Sequence, residues 1–355
     1  MGSEMCIRDS NYTGPAAAPT ALGVVGALRR DEHNSATSGD AFVQAAVQWS
    51  ETLQAQAGLR SGTTRLSTRD AFLANGDDSG ALRFHYTNPV AGLTWKLSPQ
   101  WNLHASAARG FESPTLGELA YRADGGGGFN TALQPQTSRQ WELGSKWRGE
   151  RVDLDAALFR AATTNEIGVQ TNAGGRQTFQ NVGRTQRTGA ELAAAWRVNP
   201  SWRTSLALTW LAAEYRDDFL ACAGIPCAAP TVPVSAGNQI AGTQKTSAFT
   251  ELAWRGSGDA PLEAGVEWRA QGRTAVNDVN SDFAAGYGLV NLRLLRQHPL
   301  QGEAQQRLEW LLRIDNLTNR RYAGSVVVND ANARFFEPAA PRSLLLGVRL
   351  ATAGW

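Results

Sequence analysis

Asn102, His104 and Ser106 fall at alternate positions of one short segment. A histidine beside a hydroxyl is the smallest unit from which a hydrolase can be assembled. Such an enzyme needs a base within hydrogen-bond reach of its nucleophile and a third group that orients the base. The sequence holds no G-x-S-x-G elbow and no paired His/Asp set near a strand end. His104 is therefore read as a polar lining residue, no catalytic residue is assigned, and the chain is not expected to be an enzyme.

Cys222 and Cys227 bracket the segment CAGIPC in a Pro- and Ala-rich stretch. A disulfide there suits an oxidising compartment such as the periplasm or the cell surface, and it is the expected state; two unpaired thiols are the alternative. Zinc is not expected, because none of the four histidines is near in sequence. No metal site and no cofactor is assigned. Of the 34 basic residues only Lys96, Lys146 and Lys245 are lysine, so an anion met here is met by a planar guanidinium fork. The charges are scattered singly around a net +2, with no basic block, and no nucleic-acid partner is expected. Asp124 with Gly125 to Gly128 reads as a loop tip and not as a phosphate cradle, since no helix follows.

The elements that position these residues announce themselves by alternation. Leu262, Ala264, Val266, Trp268 and Ala270 fall on one face of a strand, and Glu263, Gly265, Glu267, Arg269 and Gln271 on the other. The same split sets Trp141, Leu143 and Trp147 against Gln140, Glu142 and Lys146. It sets Leu308, Trp310, Leu312 and Ile314 against Arg307, Glu309, Arg313 and Asp315. It also sets Val43, Ala45, Val47 and Trp49 against Gln44, Gln48 and Ser50. About 14 strands follow from this count, over roughly 20–31, 40–50, 53–68, 82–97, 101–111, 138–148, 151–169, 177–198, 201–216, 243–256, 261–276, 285–297, 305–328 and 341–350. No stretch approaches the length of apolar sequence that a transmembrane helix needs, and no secretory signal peptide is visible. Residues 1–10, MGSEMCIRDS, do not join the alternating pattern and are set apart as a non-native-looking leader, leaving 11–355 as one unit.

A soluble sandwich also alternates, and three features separate it from a membrane barrel. Several strands run well beyond the length usual in soluble sheets. Short turns, such as Leu97 to Gln100, Gly149-Glu150 and Asn199 to Ser201, alternate with long loops over 112–137 and 217–242, the asymmetry of bacterial outer-membrane barrels. Trp95 and Trp101 flank one short turn and Trp196 and Trp202 another, while Trp49, Trp147 and Trp254 sit beside others. Amphipathic rings belong at headgroup depth, so this placement is an interfacial girdle. The expected fold is an all-β, antiparallel transmembrane barrel, with the apolar face toward lipid and the polar face toward a lumen.

The C-terminal stretch runs from Arg313 through Asp315-Asn316-Leu317-Thr318-Asn319 to Tyr322, then through DANARFFEPAAPRSLLLGVRL to Trp355. It resembles the last hairpin of TonB-dependent outer-membrane receptors of the siderophore type. Ala108 to Arg122 (ARGFESPTLGELAYR) and Asn88 to Trp95 (NPVAGLTW) resemble mid-barrel segments of that family, and the likeness spans about residues 20–355. The resemblance implies a barrel of about 22 strands plugged by an N-terminal domain. It also implies a metal chelate, such as a ferric siderophore, as ligand, and import energised by the TonB complex acting through the plug. No plug and no TonB box is recognised here, and the strands fall about eight short of that number. The chain is thus expected to be a C-terminal barrel fragment, whose sheet need not close. A passive porin is the alternative, and a barrel hydrolase a more distant one. In such receptors chelate sites are expected high in the lumen and in the outer loops, where arginine grips anionic groups and aromatic rings stack on planar ones. Arg109, Tyr121, Arg122 and Arg273 are the candidates by position. The resemblance does not discriminate among siderophore, cobalamin and haem.

Overall fold

The structure, a computed structural model, describes residues 2–12, 26–122, 128–173, 176–222, 227, 229–258, 260–300 and 306–351, with the side chains of 2–12, 173 and 176 excepted. Fourteen strands form one antiparallel meander in which chain order is also spatial order. They are β1 (Gly2–Tyr12), β2 (Leu28–Gln48), β3 (Leu53–Asp70), β4 (Gly80–Lys96), β5 (Trp101–Glu112), β6 (Gln136–Arg148) and β7 (Val152–Thr164). There follow β8 (Thr185–Arg197), β9 (Trp202–Tyr215), β10 (Thr246–Arg255), β11 (Leu262–Gln271), β12 (Tyr287–Pro299), β13 (Arg307–Asp315) and β14 (Ser343–Ala351). Among the described residues no ladder joins β1 to β14, so the sheet is open. No helix among them is long and apolar enough to cross a membrane.

The expected strand number agrees, but several boundaries do not. The spans 20–31 and 40–50 belong to no pair of strands: Leu28–Gln48 is a single strand of 21 residues. Residues 2–10 of the leader set apart lie in β1, paired with β2 from Gly2↔Gly39 to Tyr12↔Leu28. The tails of the spans 151–169, 177–198 and 305–328 separate as short hairpin strands, Ile167–Ala173 with Arg176–Asn181, and Ala323–Val326 with Phe336–Pro338. Length explains β2. At about 3.3 Å per residue, 17 to 21 residues span far more than the roughly 25 Å apolar band of such a barrel. The upper part of β2 stands clear of lipid on both faces, and apolar alternation has no cause there.

The turns explain the close hairpins. Ser98 Oγ accepts hydrogen bonds from the backbone N–H groups of Gln100 and Trp101 (3.2 and 3.1 Å), and Asn199 Oδ1 accepts from Ser201 and Trp202 (2.9 Å each). Each side chain mimics a turn of backbone and reverses the chain within a few residues. Residues 71–79, 113–135, 165–184, 216–245, 272–286 and 316–342 connect strands at the opposite end.

Register fixes the two faces. Trp268 stands opposite Thr250 and Val290, and Glu267 opposite Glu251 and Asn291. Directly opposed residues share a face, so tryptophans and carboxylates lie on opposite sides of the sheet. Leu143 is 56% exposed, Leu158 59% and Leu346 72%, all on the apolar side. So wide an uncovered apolar face is stable only in an apolar surround. At the short-turn end Trp101 packs edge-on to Trp147 (centroids 6.1 Å apart) and donates from Nε1 to Ser145 Oγ at 2.8 Å. The ring leaves an apolar face outward and satisfies its N–H, as suits an interfacial tryptophan.

Candidate ligand-binding site

The lumen side is lined by ion pairs between strands. Arg60 donates to both oxygens of Asp40 (2.9 and 2.8 Å), Arg293 donates to Glu251 (2.6 Å), and Arg313 bridges Glu267 and Asp315. His104 lies here too, its Nε2 3.2 Å from Glu142 Oε1. Its partner is a carboxylate on the neighbouring strand, and among the described residues no serine hydroxyl is bonded to it. A wall of neutralised charge of this kind keeps the lumen polar without giving it a strong net field.

At the long-loop end the connections fold over one another. One apolar cluster joins Leu66 to Leu119, Phe129 and Leu133 of the 113–135 loop. A second joins Val182, Tyr215 and Val234. Between the loops, Asp278 is 3% exposed. Tyr215 Oη donates to its Oδ1 at 2.6 Å and Asn329 Nδ2 to its Oδ2 at 2.8 Å. The Asp278 N–H donates to Asn329 Oδ1 (3.1 Å), and Asn238 Nδ2 donates to the Asp278 carbonyl (2.9 Å). Burial pushes the Asp278 carboxyl above the usual carboxylate range, against the pull of the hydrogen bonds from Tyr215 and Asn329. Asn280 and Asn329 hold φ near +56° and +53°, a region that asparagine tolerates better than most residues.

Beside Asp278 lies a cavity of about 260 Å³ lined by residues including Gln170, Cys222, Asn277, Asn329 and Phe335. Gln170 is 6% exposed, and its Oε1 has no hydrogen-bond partner. A buried acceptor left open can receive a donor from a small polar group. Cys222 and Cys227 are joined by the expected disulfide, with Cα atoms 5.8 Å apart, next to the small hairpin of Phe219–Ala221 and Val232–Val234. Nearby, Arg184 donates to Asp217 and holds that carboxyl below its ordinary range.

The four candidate ligand residues do not converge. Tyr121 sits in the 113–135 loop with the Arg30 guanidinium 5.1 Å from its ring centroid, and Arg122 beside it is exposed. Arg273, in the loop between β11 and β12, stands 4.2 Å over the Phe283 ring. Arg109 parts from them. It lies directly opposite Arg139, on the face that carries Ala107 and Trp141, which is the exterior. The reason is parity: Leu103, Ala105, Ala107 and Arg109 alternate with the polar set of His104 and Ser106. The loop tip at Asp124 lies outside the described residues up to Gly127. Sequence reading missed Tyr215, Asp278 and Asn329. The Asn/Asp-rich run from Asn277 to Asp282 was their one local signal, and it marks a turn without saying what the turn meets.

Residues 7–317 match the family model described as TonB dependent receptor-like, beta-barrel. In sequence, the chain is 29% identical over 120 residues to the catecholate siderophore receptor Fiu of Escherichia coli (strain UTI89 / UPEC), covering 33% of this chain and 15% of that receptor. In structure it is similar to the ferric-catecholate import receptor Fiu from K12 E. coli in its closed form, with a TM-score of 0.67 and 19% identity over 97% of this chain and 50% of that one. The ferric yersiniabactin uptake receptor FyuA from Yersinia pestis gives a TM-score of 0.69 at 16% identity, over 97% of this chain and 48% of the other. The chain thus spans about half the length of these solved structures.

Proposed function

The chain belongs to the TonB-dependent receptor β-barrel family of bacterial outer-membrane proteins, and from that premise we propose that it serves active import of a metal chelate, a ferric siderophore first of all. The family is one of transport receptors and not of enzymes. Energy from TonB, and a plug on which TonB acts, are parts of the proposal, which concerns the whole receptor. The reading is supported by Fiu and FyuA, whose names specify ferric-catecholate and ferric yersiniabactin uptake.

The observation that carries it is the pairing of guanidinium with aromatic ring at the long-loop end, Arg30 over Tyr121 and Arg273 over Phe283. Arg30 is also ion-paired with Glu32, so its charge comes with a counter-charge, while Arg273 sets a cation beside the Phe283 ring; a planar anionic chelate needs both kinds of group. Tyr121, Arg122 and Arg273 are accordingly the proposed ligand contacts. The lumen beneath them supplies polarity and charge balance but no reacting group.

Deleting the gene should abolish growth on one chelate under metal limitation, and deleting the TonB partner should have the same effect. Alanine at Tyr121, Arg122 or Arg273 should weaken chelate binding by roughly tenfold, the loss expected for one charge-assisted contact. Uptake that continues unchanged without TonB would replace this reading with a passive pore.

A further inference from the structure

The exterior of β5 to β8 carries arginines that the lumen does not use. Arg109 and Arg139 are direct partners in the β5–β6 ladder, and Arg160 is the partner of Trp141 in the β6–β7 ladder. All three are exposed and share a face with Leu143 and Leu158. Arg160 Nη2 donates to Gln186 Oε1 at 2.7 Å, which holds the guanidinium across to β8. Register places Glu142, Asp153, Asp155 and Glu191 on the other face, and no exterior position of these four strands is Asp or Glu. Among the described residues Arg109 and Arg139 make no ion pair.

The same surface is hollowed. A groove of about 720 Å³ is lined by Ala105, Ala107, Ala190, Leu158, Trp141 and Trp210, and Arg160 lines it as well. Small side chains make the hollow and larger apolar ones line it with them. Depth follows from β6. Trp147 lies at the short-turn end and Trp141 six residues on, about 20 Å along the strand and about 15 Å along the barrel axis once the strand tilt is included. Arg139, the next exterior residue beyond Trp141, lies about 20 Å along the axis from Trp147, just inside the outer-leaflet edge of the roughly 25 Å band, from where a long guanidinium side chain reaches the headgroups. Guanidinium groups facing hydrocarbon without a counter-charge are unfavourable, and here they edge an apolar groove. The complementary molecule has an acyl chain and an anionic head.

We infer that this face is a binding site for a phosphorylated lipid of the outer leaflet, with an acyl chain in the groove and a phosphate gripped by Arg109, Arg139 and Arg160. The guanidinium fork matches two phosphate oxygens at once, and three forks together favour a head with more than one negative charge. The inference rests on the outer-membrane placement of the barrel and is independent of which chelate the receptor takes.

The test uses the protein as its gene encodes it, purified from outer membranes in detergent. Native mass spectrometry would follow retention of hexa-acylated diphosphoryl lipid A, of phosphatidylethanolamine and of inorganic phosphate. Diphosphoryl lipid A should be retained, phosphatidylethanolamine about tenfold more weakly, and phosphate alone not at all. The triple variant Arg109→Gln, Arg139→Gln, Arg160→Gln should lose about tenfold in retention, and Arg139→Gln alone, a single exposed change, about threefold. Arg203→Gln, on the lumen side of β9, should behave as the parent. Undiminished retention in Arg139→Gln and the triple variant, or equal retention of phosphatidylethanolamine, would overturn the assignment; retention of free phosphate would reduce the site to a simple anion site.

Discussion

Arg313 donates to both oxygens of Glu267, at 3.1 and 2.9 Å, reaching over β12 on the lumen side. Both groups are shielded, with 29% and 12% of their side chains exposed, and Asp315 takes a further bond from Arg313 at 2.8 Å. The pair therefore ties β13 to β11 across β12 near the C-terminal edge. In a double-mutant cycle, Arg313→Gln and Glu267→Gln should couple by about 1 kcal/mol, a value typical of a partly shielded pair with further partners. Strict additivity in urea unfolding from micelles would show that the two side chains act separately.

Leu143 lies between Trp141 and Trp147 on one strand, exterior and 56% exposed. It is near the middle of the apolar band, where Leu143→Arg should cost roughly 2–4 kcal/mol. Its chain neighbour Glu142 faces the lumen, beside His104, so Glu142→Gln should leave membrane insertion intact. Reconstitution into vesicles, read by the heat-modifiable shift on gels, distinguishes the two variants. Equal loss of insertion in both would contradict the facing of β6.

The facing of β6 was legible because lipid imposes a single requirement on every second residue, and the same held for Trp268 against Glu267 and for Leu312 against Arg313. Where lipid ends, the signal ends. From Glu32 to Gly39 the chain is EHNSATSG, polar at both parities, and one strand was divided into two. Arg109 shows the opposite failing. Its parity with Leu103, Ala105 and Ala107 was in the sequence, and its charge drew it to the lumen in the reading. The Asp278 network joins Tyr215 to a residue 63 positions away and Asn329 to one 51 away, and no local pattern encodes such pairings.

The Cys222–Cys227 disulfide closes a loop with a sequence separation of 5. Loop-closure entropy grows with length, so so short a loop contributes less than the usual few kcal/mol. Its effect should be local. The Cys222→Ser, Cys227→Ser variant should insert and unfold like the parent, yet become more sensitive to protease around 219–234, where the small hairpin borders the cavity. A large drop in global stability would assign the bond a wider role.

Acidification should tighten the loops that meet at Asp278. Burial raises its folded pKa above the unfolded value, so the group prefers its proton in the native structure. The sign then follows from linkage: its stabilising contribution is complete below the unfolded pKa of about 3.9 and is lost as pH rises through the folded value. Asp217 has the opposite sign, because Arg184 lowers its pKa; its contribution is present above about 3.9 and is lost only below that. Asp217, held below its ordinary range, stays ionised at every pH above that range, and slowing of exchange in these loops there is assigned to Asp278. Hydrogen exchange of the 272–286 and 327–331 segments, corrected for intrinsic rate, should slow as pH falls from neutrality toward the ordinary carboxylate range. Asp278→Asn should abolish the dependence, while losing the bond that Asp278 Oδ2 receives from Asn329. Faster exchange on acidification, or the same slope in the variant, would mean that Tyr215 and Asn329 hold the carboxylate ionised and that burial is the weaker influence at this residue.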